Sequence, residues 1–89
     1  MYRNEEALET FERAIRLDAN DPTFYYNKGL VLKRLKRYKE ALAAYEQAIH
    51  LDPKDADYYI GKGEVLGKLK LHETAAEAYE EAARLEENK

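Results

Sequence analysis

Displaced by 34 residues, segment 22–55 of this chain falls on segment 56–89, and that internal repeat constrains the fold more than any other feature. Thirteen of the 34 positions are then identical without a gap: Tyr25/Tyr59, Lys28/Lys62, Gly29/Gly63, Val31/Val65, Leu32/Leu66, Leu35/Leu69, Lys36/Lys70, Ala41/Ala75, Ala44/Ala78, Tyr45/Tyr79, Glu46/Glu80, Ala48/Ala82 and Leu51/Leu85. The same step lays Ala7, Phe11, Ala14 and Leu17 over Ala41, Tyr45, Ala48 and Leu51, so 1–21 reads as the second half of a further unit. A period of this length marks stacked supersecondary units, each of which buries its apolar face only against its neighbours. The expected organisation is one domain over 1–89, made of a half unit (1–21) and two full units (22–55 and 56–89).

Within a unit the apolar spacing is helical. Tyr25, Gly29, Leu32 and Leu35 recur at steps of four, three and three, and Ala41, Tyr45, Ala48 and Leu51 form a second stripe. Asp21 and Asp55 stand where an N-cap is needed, and Pro22 suits a first helical turn, whose N–H has no partner in any case. Asp52-Pro53 supplies a stop, because proline disfavours helical geometry in the residue before it. The spacing predicts five helices, at 4–17, 22–35, 38–51, 56–69 and 72–86, with a short turn at Lys36–Arg37. Gly29 and Gly63 sit inside helices at about 1 kcal/mol each relative to alanine. Their recurrence implies close helix approach, and Ala41 and Ala48 would let the paired helices close around Tyr45.

Composition narrows the chemistry. There is no cysteine, so disulfides and thiolate nucleophiles are excluded. No apolar run approaches the ~20 residues of a membrane span, and Met1–Glu6 lacks the basic-then-apolar order of a signal peptide. These features suit a cytoplasmic protein, and a net charge of −3 argues against nucleic acid as the main partner. The two histidines, His50 and His72, fall at variable positions of the repeat with one threonine near them, and a nucleophile–base pair is not expected. Asp52, Asp55 and Asp57 lack the glycine and terminal glutamate of a calcium loop, and Gly61, Gly63 and Gly67 lie on a helix, not at a strand-to-helix phosphate turn. No catalytic residue, metal site or cofactor is expected.

Taken together, the positions resemble the tetratricopeptide repeat, whose pattern runs tryptophan, Leu-Gly, tyrosine, alanine, aromatic, alanine, proline. Gly29, Gly63, Ala41, Ala75, Tyr45, Tyr79, Ala48 and Ala82 fit directly. Tyr25 and Tyr59 replace the tryptophan, Lys28 and Lys62 the leucine, and Leu32 and Leu66 the tyrosine. Pro53 fits once, with Ala19 and Glu87 at the corresponding places. The resemblance implies an all-α, right-handed superhelical solenoid of antiparallel helix pairs, with first helices lining a concave groove and second helices forming the convex back. It also implies a scaffold that binds a peptide or helix of a partner protein.

Charge follows that division. Residues 22–39 carry Lys28, Lys33, Arg34, Lys36, Arg37 and Lys39 and no acid, while 1–21, 40–55 and 71–89 are net acidic. A groove is therefore expected at Tyr26, Asn27, Leu30, Lys33, Arg34, Glu64 and Lys68, receptive to an acidic segment. Helix dipoles alone would also favour cations late in one helix and anions early in the next. The chaperone-tail clamp known in the family is matched only at Asn27; Tyr26, Leu30, Asp57 and Gly61 occupy its other places.

The ends raise a second function. The helix at 4–17 lacks a first-helix partner, so Ala7, Phe11 and Ala14 are expected to stay half covered. A chain cut from a longer array, a homodimer formed through this face, or local repacking with Tyr2 would each answer this. A structural self-association module is thus the alternative function, and an engineered or truncated repeat without a ligand is the third. At the other end Ala76 and Ala83 replace Leu42 and Ile49, which suggests partial self-capping.

Overall fold

The computed structural model describes residues 3–88, which form five α-helices: α1 (Asn4–Leu17), α2 (Pro22–Arg34), α3 (Tyr38–Leu51), α4 (Ala56–Lys68) and α5 (His72–Glu87). Each helix packs on the next through a short turn, giving antiparallel neighbours in a tetratricopeptide-type solenoid. Among the described residues the backbone of α2 also comes close to that of α4, whereas the backbones of α1, α3 and α5 stay apart from one another. The first helices therefore lie close together on the inside of the curve, and the second helices splay outside it.

The caps repeat with the sequence. Asp21 Oδ1 accepts from the Thr23 N–H at 2.9 Å, and Asp55 Oδ1 from the Asp57 N–H at 2.9 Å. The proline stop is dispensable. Leu17 ends α1 as Leu51 ends α3, although Ala19 stands in place of Pro53. What the two ends share is aspartate: Asp18 accepts from the Asn20 N–H, and Asp52 from the Lys54 N–H.

Helices α2 and α4 end one residue sooner than their spacing predicts, at Arg34 and Lys68. The next residue is the C-cap, and the one after it turns left-handed: Lys36 has φ 62° and Lys70 φ 67°. Arg37 N–H donates to the Leu32 carbonyl at 2.9 Å and Lys36 N–H to that of Lys33 at 2.9 Å, and the same pair of bonds recurs at Leu71 and Lys70. This is a Schellman closure built without its usual glycine. The left-handed conformation costs a residue with a Cβ about 1–2 kcal/mol. Lys36→Gly and Lys70→Gly should therefore each raise stability in urea unfolding by about 0.5–1 kcal/mol, after the extra unfolded-state freedom of glycine is offset. A loss at either position would contradict the strained geometry.

The core lies where α3 is enclosed. Tyr45, Leu32 and Val65 are the largest fully buried side chains, and Ala41 and Ala48 flank Tyr45 with no exposed surface. A Cβ built on Gly29 would stand 2.7 Å from the Tyr45 ring, and one on Gly61 2.8 Å from the same ring. The ring is thus clasped from both sides, by its own unit and by the next. Close approach at Gly29 and Gly63 was expected; Gly61, which the period aligns with Asn27, was not.

Both ends are open. On α1 only Leu8 is buried, Ala7, Phe11 and Ala14 are half-buried, and Leu17 is exposed; Tyr2 lies outside the described residues. The C-terminal end is less closed than its alanines suggest. Ala76 and Ala83 are exposed, and Tyr79 is 44 % exposed where its counterpart Tyr45 is 0 %. The ring of Tyr79 rests on Gly63, and among the described residues no helix stands on its other side to do what Gly61 does for Tyr45.

Candidate functional site

The groove follows from the helical step. On α4 the positions Asp57, Ile60, Glu64 and Lys68 recur every three or four residues and are all exposed. One period earlier the same face of α2 carries Thr23, Tyr26, Leu30 and Arg34, with Lys33 beside them. Because α2 and α4 touch directly, these two faces form one surface on the inner side of the curve.

Its middle is neutral. Lys33 Nζ stands 2.9 Å from Glu64 Oε1, an ion pair that ties α2 to α4 across the groove. Much of the basic stretch at 22–39 is paired in this way. Lys28 reaches Glu12 on α1 at 3.4 Å, and Arg37 makes a two-pronged contact with Glu40 at 2.8 and 2.7 Å. That contact holds the exposed Glu40 carboxyl below, and the Arg37 guanidinium above, their ordinary pKa values. Lys62 repeats the Lys28 link with Glu46 at 3.6 Å, so the lysines standing in place of the family leucine join successive helices. Each such exposed pair contributes at most about 1 kcal/mol, and their regularity fixes register more than stability.

Aromatic rings form the floor. Tyr26 lies 5.8 Å from Tyr45 and 5.1 Å from Tyr58, both tilted. Burial pushes the Tyr26 phenol above its ordinary pKa, and the carboxylates of Asp57, Asp55 and Glu64 add to the shift. Tyr45 is raised further, by burial first. Its hydroxyl is buried and finds no hydrogen-bond partner among the described residues. The groove beside Tyr26 is therefore acidic, whereas the expected basic character is confined to the Arg34 and Lys68 end.

Of the expected site residues, Tyr26, Leu30, Lys33, Arg34, Glu64 and Lys68 share this inner surface. Asn27 stands one residue past Tyr26 on α2. It occupies the register place of Gly61, the side turned toward the preceding helix, and is half-buried there. Ile60 and Asp57 are additions that the period could have supplied, since they align with Tyr26 and Thr23. A cavity of about 470 Å³ at the basic end is lined by Lys33, Tyr38, Glu64, Gly67, Lys68 and Tyr79. A larger one, about 560 Å³, lies outside the groove at Pro53, Tyr59 and Arg84. Three of its polar side chains are engaged: the Tyr59 hydroxyl donates to the Pro53 carbonyl at 3.0 Å, and Arg84 pairs with Glu81.

His50 and His72 are exposed. Among the described residues no three His, Cys, Asp or Glu side chains are grouped to hold a metal ion, and no helix is long and apolar enough to cross a membrane.

Comparisons with known proteins agree with this architecture. A tetratricopeptide repeat model matches residues 22–55, another matches 56–89, and a TPR repeat model matches 3–36. A crystal structure of MamA superimposes with a TM-score of 0.92 at 27% identity, over 96% of this chain and 50% of that one. MamA from Desulfovibrio magneticus RS-1 gives 0.94 at 25% identity, over 98% and 49%. The second TPR of Spaghetti (RPAP3), solved with the HSP90 peptide SRMEEVD, gives 0.91 at 24% identity, over 93% and 77%. The chain spans about half the length of the MamA chains it matches. Curated protein sequences yield no match. With three repeat models covering residues 3–89 and five helices stacked in the matching order, the chain belongs to the tetratricopeptide repeat family.

Proposed function

We propose that this chain is a protein-interaction module that holds a peptide or helix of a partner in the groove between α2 and α4. One observation carries the reading. Tyr26, Leu30 and Ile60 lie on adjoining inner faces of two touching helices, none of them fully buried, and Ile60 is 36 % exposed. Apolar side chains at the centre of a charged, concave surface are the usual anchors of a bound segment. The Spaghetti domain supports the class of function, since a protein of this fold was solved with a peptide. The scaffolding role of the tetratricopeptide repeat family supports this reading, and we assign no reaction.

The test is a panel of seven-residue capped peptides titrated into labelled protein and followed by NMR. Shifts should concentrate at Tyr26, Leu30 and Ile60, and Leu30→Arg should weaken binding at least about tenfold by filling and charging the groove. Shifts confined to the outer faces of α3 and α5 would sink the proposal. For an acidic partner, alanine at Lys33 and Arg34 should reduce both affinity and its salt dependence.

A second reading is self-association through α1. Among the described residues helix α1 has a single neighbour, and Ala7, Phe11 and Ala14 are half-buried. A homodimer at micromolar concentration that Phe11→Glu abolishes would support this; a monomer throughout sedimentation analysis would remove it.

A further inference from the structure

The groove carries opposite charges at its two ends. At the first turn of α4, Asp57 is exposed and makes no ion pair among the described residues, and Tyr26 and Tyr58 lie nearby as a ring pair. At the last turn, Lys68 is exposed and likewise makes no ion pair, with Arg34 at the same place on α2. Between them Lys33 and Glu64 neutralise each other. Helix dipoles account for an acid early and a base late on α4. They do not account for both facing the groove, which follows from the steps 57, 60, 64 and 68 along one side of the helix.

We infer that the groove selects a segment carrying a cationic side chain at one end and a carboxylate about five residues away. This rests on the groove reading above and adds the chemistry of what is bound. The cation sits by Asp57 over the Tyr26 ring, where a carboxylate and an aromatic face act together on it. The carboxylate meets Lys68. Eleven residues of helix separate Asp57 from Lys68, about 16 Å at the helical rise. An extended segment covers that distance in about five residues. Apolar side chains between the charges rest on Leu30 and Ile60. A purely acidic segment would place one carboxylate against Asp57 and lose what it gains at Lys68.

The experiment uses four capped seven-residue peptides with leucine and alanine between the charges. They carry Lys and Asp five apart, Lys and Asp two apart, two Asp five apart, and two Lys five apart. By fluorescence anisotropy at low salt, the mixed five-apart peptide should bind about tenfold tighter than each of the other three, the sum of two modest exposed pairings. Asp57→Lys should make the two-Asp peptide the preferred one, and Lys68→Glu the two-Lys peptide, with helical content by circular dichroism confirming that each variant is folded. Equal binding of mixed and two-Asp peptides, or an unchanged ranking in Asp57→Lys, overturns the charge pattern. NMR shifts separate the two levels. Equal binding with shifts at Leu30 and Ile60 overturns the pattern and leaves the groove, whereas no groove shifts with any peptide overturn both.

Discussion

Replacing Tyr45 with alanine is expected to lower unfolding free energy by about 4 kcal/mol, against about 1 kcal/mol for the same change at Tyr79. The two residues are period partners with the same apolar stripe around them, and a sequence-based estimate would make the losses equal. The structure separates them. Tyr45 is 0 % exposed and held between Gly29 and Gly61, so its removal leaves a closed cavity in the centre of the fold. Tyr79 is 44 % exposed on one glycine, so water fills the space its ring vacates. A domain of this size has a total stability of about 4–13 kcal/mol, so Tyr45→Ala should bring the chain close to unfolding at room temperature. Urea unfolding read by circular dichroism decides the matter, and equal losses at the two sites would refute the open C-terminal end. Tyr45→Phe should act in the opposite direction. It removes a buried hydroxyl that has no partner among the described residues and should stabilise the fold by about 1 kcal/mol.

The four glycines should divide three ways on substitution by alanine. Gly29→Ala and Gly61→Ala each drive a Cβ to within 2.8 Å of the Tyr45 ring. The ring cannot retreat from one glycine without meeting the other, so overpacking wins over helix propensity and each change costs about 2 kcal/mol net. Gly63→Ala brings a Cβ to 2.9 Å from Tyr79, but that ring is half exposed and free to swing outward. The gain in helix propensity of about 1 kcal/mol then roughly cancels the repacking, and the net change should be near zero. Gly67→Ala meets no atom within 4 Å and should stabilise by the full propensity difference, about 1 kcal/mol. Thermal midpoints of the four single variants test the order, at about 4–8 °C per kcal/mol for a domain of this length. A loss at Gly67 as large as that at Gly29 would show that helical glycine has another role here.

The surface proposed as the groove can be followed one period at a time. Tyr26, Leu30, Lys33, Arg34, Glu64 and Lys68 lie on the inner surface because the helical step alone puts them on one side. Asn27 is half-buried, as Tyr26 and Leu30 are. Its period partner Gly61 shows that this side of a first helix turns toward the helix before it. Asp57 and Ile60 lie on the same side of α4 as Glu64 and Lys68, and the acidic end of this surface emerges only when α2 and α4 are set side by side. Pairing was also beyond the sequence. Lys33 and Glu64 are 31 residues apart, and only the contact of α2 with α4 brings them to 2.9 Å.

By itself the sequence determined the 34-residue period, the five helices within a residue of their ends and the family, because helical spacing, caps and recurrence are local or nearly local properties of a chain. The tertiary structure decided which of two identical residues counts. Tyr45 and Tyr79, like Gly29 and Gly63, occupy the same place in their units, and their energetic weight differs because α4 covers one ring and, among the described residues, no helix covers the other. A repeat specifies what each unit presents to its neighbour. Whether a neighbour is there to receive it is a fact about space, and burial, cavity cost and ion pairing all depend on it.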